Sequence, residues 1–158
     1  GTGTEATNAA VIYNEETGAK IALVSWRLFP DVALVDPALT ATLPPRITAA
    51  TGMDALTHAV EAYTCLQKNP VSDGFALAAI RLVARYLLPA VKDGKDEEAR
   101  LGMANAALLA GIAFTNSMVG GVHALAHATG GVCHVPHGVA NGIYLPWVLE
   151  YNLSRIQG

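Results

Sequence analysis

Between Leu101 and Leu149 the sequence has no Lys, Arg, Asp or Glu, yet this stretch holds His123, His127, His134 and His137, four of the five histidines. An imidazole carried unpaired into an apolar interior costs about 1–3 kcal/mol. Histidines grouped there with no carboxylate nearby in sequence therefore call for an electron-pair acceptor such as a metal ion. The fifth, His58, follows Asp54 by four residues, which on a helix puts both side chains on one face with Cβ atoms about 5–6 Å apart. His123 and His127 repeat that spacing, and His137 follows Pro136 at a helix start, where proline fixes the backbone direction. One carboxylate and several neutral nitrogens without thiolate suit Fe(II), Zn(II) or a similar first-row ion better than a cysteine-built structural zinc site. His134 reads as a loop histidine.

These side chains must be held by the rest of a 158-residue, 16.4 kDa chain, which at that length buries roughly two-thirds of its unfolded surface. Hydrophobic residues make up 52%, charged residues 15%, and mean hydropathy is +0.34, which excludes an intrinsically disordered chain. The patterning predicts an α+β chain that is predominantly α-helical. Asn8 to Tyr13 and Lys20 to Ser25 read as a hairpin around a polar turn ending at Gly18, and Val32 to Val35 as a third short strand. From Pro44-Pro45 onward the period becomes helical. A first helix carries Met53, Leu56, Ala59, Val60 and Tyr63, and a second runs near Ser72 to Val91. A third has Asp96, Glu97 and Glu98 placed for its dipole and reaches about Phe114. A short helix is expected from Val122 to Thr129 between the Gly120-Gly121 and Gly130-Gly131 pairs. A last one, from Val139 to Leu153, is kinked or divided by Pro146. The boundary falls near Thr42 to Pro45, giving units at 1–43 and 44–158.

The net charge of -3 and the lack of a basic cluster argue against nucleic acid as a partner. Met103 to Phe114, the most apolar stretch, falls short of the roughly 20 residues of a membrane span, so no membrane partner is expected. Cys65 and Cys133 are too few for a disulfide framework and point to the cytoplasm. The first residue is Gly, and no targeting segment is recognisable, so the chain reads as a stretch of something longer.

Thr51 to Thr64 (TGMDALTHAVEAYT) and Gly120 to Pro146 (GGVHALAHATGGVCHVPHGVANGIYLP) closely resemble the two signature regions of the iron-containing (group III) alcohol dehydrogenases. The opening GTGTEAT, Gly1 to Thr7, resembles that family's segment near the bound nicotinamide. The resemblance implies a dehydroquinate synthase-like fold: 1–43 would be the last part of a nucleotide-binding α/β domain, and 44–158 most of an all-α metal-binding catalytic domain. It implies Fe2+ or Zn2+ held by Asp54, His58, His123 and His137. It places His127 near nicotinamide and substrate as the catalytic group that assists proton movement, and Thr2, Thr7, Lys20 and Leu39 against the cofactor, NAD or NADP. A small alcohol or aldehyde is the implied substrate, and a homo-oligomer the expected state of the full-length protein. The family's Gly-rich pyrophosphate loop has no counterpart here, since GTGT is not G-x-G-x-x-G.

Other readings remain beside that one. The four ligands could staple a helical module without turnover, or serve a zinc-type polyol dehydrogenase. A zinc hydrolase would need a carboxylate base, for which Glu61, three residues after His58, is the nearest candidate; otherwise Glu61 reads as a helix-surface glutamate. Cys133 reads as a buried, inert thiol.

Overall fold

The computed structural model describes residues 2–17 and 19–156, with the side chains of residues 19, 20 and 156 outside the description. The chain opens with a 3-10 turn, Thr4–Ala6, followed by strands β1 (Ala9–Asn14) and β2 (Ala19–Val24), which pair antiparallel with Ala9 opposite Val24 and Asn14 opposite Ala19. The Asn14 side chain accepts from the Glu16 and Thr17 amides and so shapes the turn; Gly18, expected to complete it, lies outside the described residues. The expected third strand is not formed. Residues 32–36 have no regular structure, Val32 and Leu34 are exposed, and among the described residues the sheet contains β1 and β2 alone. An extended segment gains ladder hydrogen bonds only from a neighbour, and among the described residues no strand pairs with this one.

Five helices follow among the described residues: α1 (Pro45–Thr64), α2 (Pro70–Lys92), α3 (Glu97–Thr115), α4 (Gly121–Cys133) and α5 (His137–Ile156). Their starts follow from side chains. Pro45 occupies the first turn of α1, where its missing N–H costs nothing. Asn69 caps α2 in a reciprocal box with Ser72, and Asp96 caps α3 ahead of Glu97 and Glu98. Two boundaries differ from the sequence reading. α4 continues through Gly130-Gly131 and stops at His134, which takes a left-handed φ of 55°; about 1 kcal/mol per glycine does not end a helix that is packed. α5 starts at His137 and runs unbroken through Pro146.

α1, α2 and α3 pack against one another, with α5 on α1 and α4 on α5. The shared core is made of alanines: Ala59, Ala79 and Ala110 meet in one cluster, Ala62, Ala76 and Ala113 in another. Small residues at facing positions let helix backbones approach closely, which fixes α1 as a rigid support. Arg100 of α3 is buried and donates to Gly94 O (2.9 Å), Thr48 Oγ1 (2.8 Å) and Leu43 O (3.2 Å). By length and composition α2 could cross a membrane. Arg81 and Arg85 lie along it, and its Ser72, Ala76, Ala79, Val83 and Ala90 are buried.

Candidate metal centre

α1 supplies Asp54 and His58 from one face, with Asp54 Oδ2 3.8 Å from His58 Nδ1. The first turn of α4 brings His123 Nε2 to 3.6 Å from Asp54 Oδ1, and the first residue of α5 brings His137 Nε2 to 3.4 Å from the same oxygen. Asp54, His58 and His123 are buried and offer ligand atoms within 4.8 Å of one another. His137 is half-buried, its side chain 31% exposed. His127 stands one turn further along α4, its ring centroid 5.0 Å from that of His137 and 6.2 Å from that of His123. The His58 ring is stacked between Phe114 and His123, both centroids 4.4 Å away.

The donor set fits a divalent cation. Four ligands about 2.0–2.1 Å from an ion form a tetrahedron whose edges are about 3.3 Å; the histidine nitrogens lie 3.4 to 3.8 Å from one or the other Asp54 oxygen, and the Asp54, His58 and His123 donors within 4.8 Å of one another, so the cluster needs only a small contraction around an ion. His58 Nδ1 is buried without a hydrogen-bond partner, the condition a ligand atom satisfies through a metal.

Two residues of this site have no place in the sequence-derived ligand set. Asn141, one turn after His137 on α5, is fully buried, and its Nδ2 donates to Asp54 Oδ1 at 2.5 Å. The same nitrogen lies 3.3 Å from His123 Nε2 and 3.2 Å from His137 Nε2, while its Oδ1 has no partner. One carboxylate oxygen and two ring nitrogens thus converge on one amide nitrogen that carries two hydrogens. The signal was there to read: a polar side chain four residues after a histidine, inside the charge-free stretch. Glu61 corrects an expectation outright. It is buried rather than a helix-surface residue, with Oε1 accepting from the Val122 amide at 2.7 Å and Oε2 at 2.5 Å from His123 Nδ1.

These contacts set the charges. Burial by itself would raise the Asp54 carboxyl, but His123, His58 and His137 outweigh it and hold the group below its ordinary value. Glu61 is likewise lowered, burial being overcome by His123 and by the Gly120 and Val122 amides. Burial pushes His58 down to about 4 against the pull of Asp54. His123 is raised, because Asp54 and Glu61 together overcome its burial.

The remaining sequence-derived residues lie on other segments. Thr7 is buried and its hydroxyl donates to Thr4 O at 3.1 Å; Thr2 Oγ1 lies 3.3 Å from Thr4 Oγ1. Their turn rests on α3, where Gly3, at φ +81°, sits so close to Gly111 that a Cβ on Gly111 would fall 2.5 Å from Gly3 O. Leu39 is exposed on the 3-10 turn Pro37–Thr40, which also packs on α3. Lys20 pairs with Tyr13 through its backbone, and its side chain lies outside the described residues. His134 is exposed, and Cys133 is exposed rather than buried.

The helical layer thus presents a buried Asp/His cluster able to hold a metal ion. The profile of the Fe-containing alcohol dehydrogenase family, C-terminal, matches residues 48–158, and that of the iron-containing alcohol dehydrogenases matches residues 1–37. The chain belongs to the iron-containing alcohol dehydrogenase family. It is 54% identical to long-chain-alcohol dehydrogenase 1 of Geobacillus thermodenitrificans over 96% of this chain and 38% of that protein. It superimposes on the crystal structure of a 1,3-propanediol oxidoreductase with a TM-score of 0.93 at 54% identity, covering 97% of this chain and 40% of the other. A sulfoacetaldehyde reductase from Bifidobacterium kashiwanohense, solved in complex with NAD+, gives 0.92 at 41% identity, covering 96% and 40%. The chain therefore spans about 40% of the length of these relatives.

Proposed function

We propose that this chain carries the metal centre and part of the cofactor wall of an NAD-linked alcohol dehydrogenase that also works as an aldehyde reductase. The observation that carries this reading is the approach of His58, His123 and His137 to the buried carboxylate of Asp54, with His127 beside His137. When bound, a divalent ion, Fe(II) by the family's chemistry or Zn(II), supplies Lewis acidity to an alcohol or carbonyl oxygen, and the nicotinamide supplies the hydride acceptor or donor.

The protein's own residues do the rest. Asp54, His58, His123 and His137 hold the ion, and the stacking of His58 between Phe114 and His123 keeps that ring from rotating. His127 takes the proton released from the alcohol hydroxyl and returns it in the reverse direction. A catalytic role requires the ion to keep a ligand position for the substrate oxygen, which a purely structural site does not. The charge-free surroundings between Leu101 and Leu149 keep bulk water from weakening the electrostatics there. Thr2, Thr7, Lys20 and Leu39 are the proposed cofactor contacts. The similarity to the NAD+-bound reductase supports NAD, with NADP as the alternative. The cytoplasm is the proposed compartment.

Elemental analysis of the full-length protein, purified without oxygen, tests this. About one Fe or Zn per chain, lost in His123→Ala/His137→Ala together with alcohol oxidation, is expected. Full metal content in the double variant would sink the assignment.

A further inference from the structure

Glu61 lies on α1 seven residues after Asp54, two helical turns along the same face, yet it touches the cluster from behind. Its two oxygens do separate jobs. Oε1 accepts from the Val122 N–H in the first turn of α4, a helix whose N-cap, Gly120, offers no side chain of its own. A Cβ on Gly120 would fall 2.9 Å from that oxygen, so glycine is what lets the carboxylate reach the helix end. Oε2 meets His123 Nδ1 at 2.5 Å. With Nδ1–H donating to Oε2, the lone pair of His123 rests on Nε2, the atom 3.6 Å from Asp54 Oδ1. We propose that Glu61 is a positioning residue that locks His123 in its Nε2-ligating tautomer and, through the same carboxylate, seats the first turn of α4 against α1.

The inference rests on the metal-centre reading above and deepens it. It also disposes of Glu61 as a base that activates water: both oxygens are engaged, on the far side of the His123 ring from Nε2. Carboxylate–histidine pairs of this kind orient metal ligands, and their loss typically weakens metal binding 10- to 100-fold. An amide cannot do both jobs. Glu61→Gln has one acceptor for two donors, Val122 N–H and His123 Nδ1–H. The conflict is relieved when His123 moves its proton to Nε2 and accepts from the new NH2, which takes the lone pair away from the cluster.

The test is the affinity of the full-length, metal-free protein for Co2+ and Zn2+, by competition with a chromophoric chelator, together with the visible absorption of the Co2+ form. Glu61→Gln is expected to lose roughly 10- to 100-fold in affinity and to change the Co2+ spectrum while keeping its helical circular dichroism. In a His123→Ala background the same change should cost nothing further, because the effect passes through that ring. Affinity within twofold of wild type, or losses that add to those of His123→Ala, would overturn the role of Glu61. Failure of the wild type to bind either ion would instead overturn the metal centre itself. Should Glu61→Gln not fold, proton NMR of the wild type decides: a far-downfield, slowly exchanging Nδ1–H, assigned by its loss in His123→Ala, is expected, and its absence overturns the proposal.

Discussion

Asn141 Nδ2 donates to Asp54 Oδ1 at 2.5 Å, joining α5 to α1 at the centre of the ligand cluster. A hydrogen bond to a buried charged group is worth about 1.5–3 kcal/mol. Asn141→Ala should therefore lower the stability of the metal-free protein by about 2 kcal/mol. A bound cation takes over the neutralisation of Asp54, so the loss should be smaller in the metal-loaded form. Paired denaturant titrations, with and without Zn2+, measure both. Equal losses in the two forms would show that Asn141 serves packing alone.

The pH dependence of the metal-free protein follows from His58. Its value falls from 6.5 in the unfolded chain to about 4 in the buried site. Between those limits the unfolded chain binds the extra proton, so burying His58 costs nothing above pH 6.5 and lowers stability progressively towards pH 4, by roughly 3 kcal/mol. His123, raised, contributes fully below its ordinary 6.5 and loses that contribution only as pH rises through its higher folded value, so it is flat in this window. Asp54 and Glu61, lowered, begin to lose theirs only as pH falls below about their ordinary values of 3.8 and 4.5. His58→Gln should flatten most of the slope between pH 6.5 and 4.5 in urea denaturation, and an unchanged slope would point to another group.

For the proton transfer, His127→Gln should lower kcat by roughly 100-fold, the lower end of what general acid–base catalysis supplies, with metal content unchanged. The acidic limb of the pH–rate profile should disappear with it. An unchanged profile would remove His127 from the proton path.

The turn that carries Thr2 and Thr7 depends on the Gly3–Gly111 contact. Gly111→Ala should push this turn off α3 and raise KM for NAD roughly tenfold, equivalent to about 1.4 kcal/mol, while leaving metal binding alone. A KM within twofold of wild type would detach the turn from the cofactor.

Much of the helical layer was legible because its signals are local. Asp96, Glu97 and Glu98 mark a helix start by their charge alone, and Asp54 and His58 share a face by spacing alone; the capping by Asn69 appears only in the structure. The hairpin was legible for the same reason. Val32 to Val35 was misread because β-propensity says nothing about whether a partner strand is there to complete the ladder. Gly130-Gly131 reads as a stop by local propensity, yet α4 runs through it because packing outweighs the local cost of glycine. Glu61 and Asn141 escaped for a different reason: a helix turns a side chain towards a face, but what fills that face is decided by an element more than 60 residues away in the chain, α4 for Glu61 and α1 for Asn141.

Arg100 reaches back from α3 to Leu43 and Thr48, on either side of the start of α1. A buried guanidinium in that position clamps the junction, because freeing either contact strands a charge in the interior. The clamp holds the start of the helix that carries Asp54 and His58 to α3, so two of the four metal-site residues inherit their placement from a contact that no metal makes.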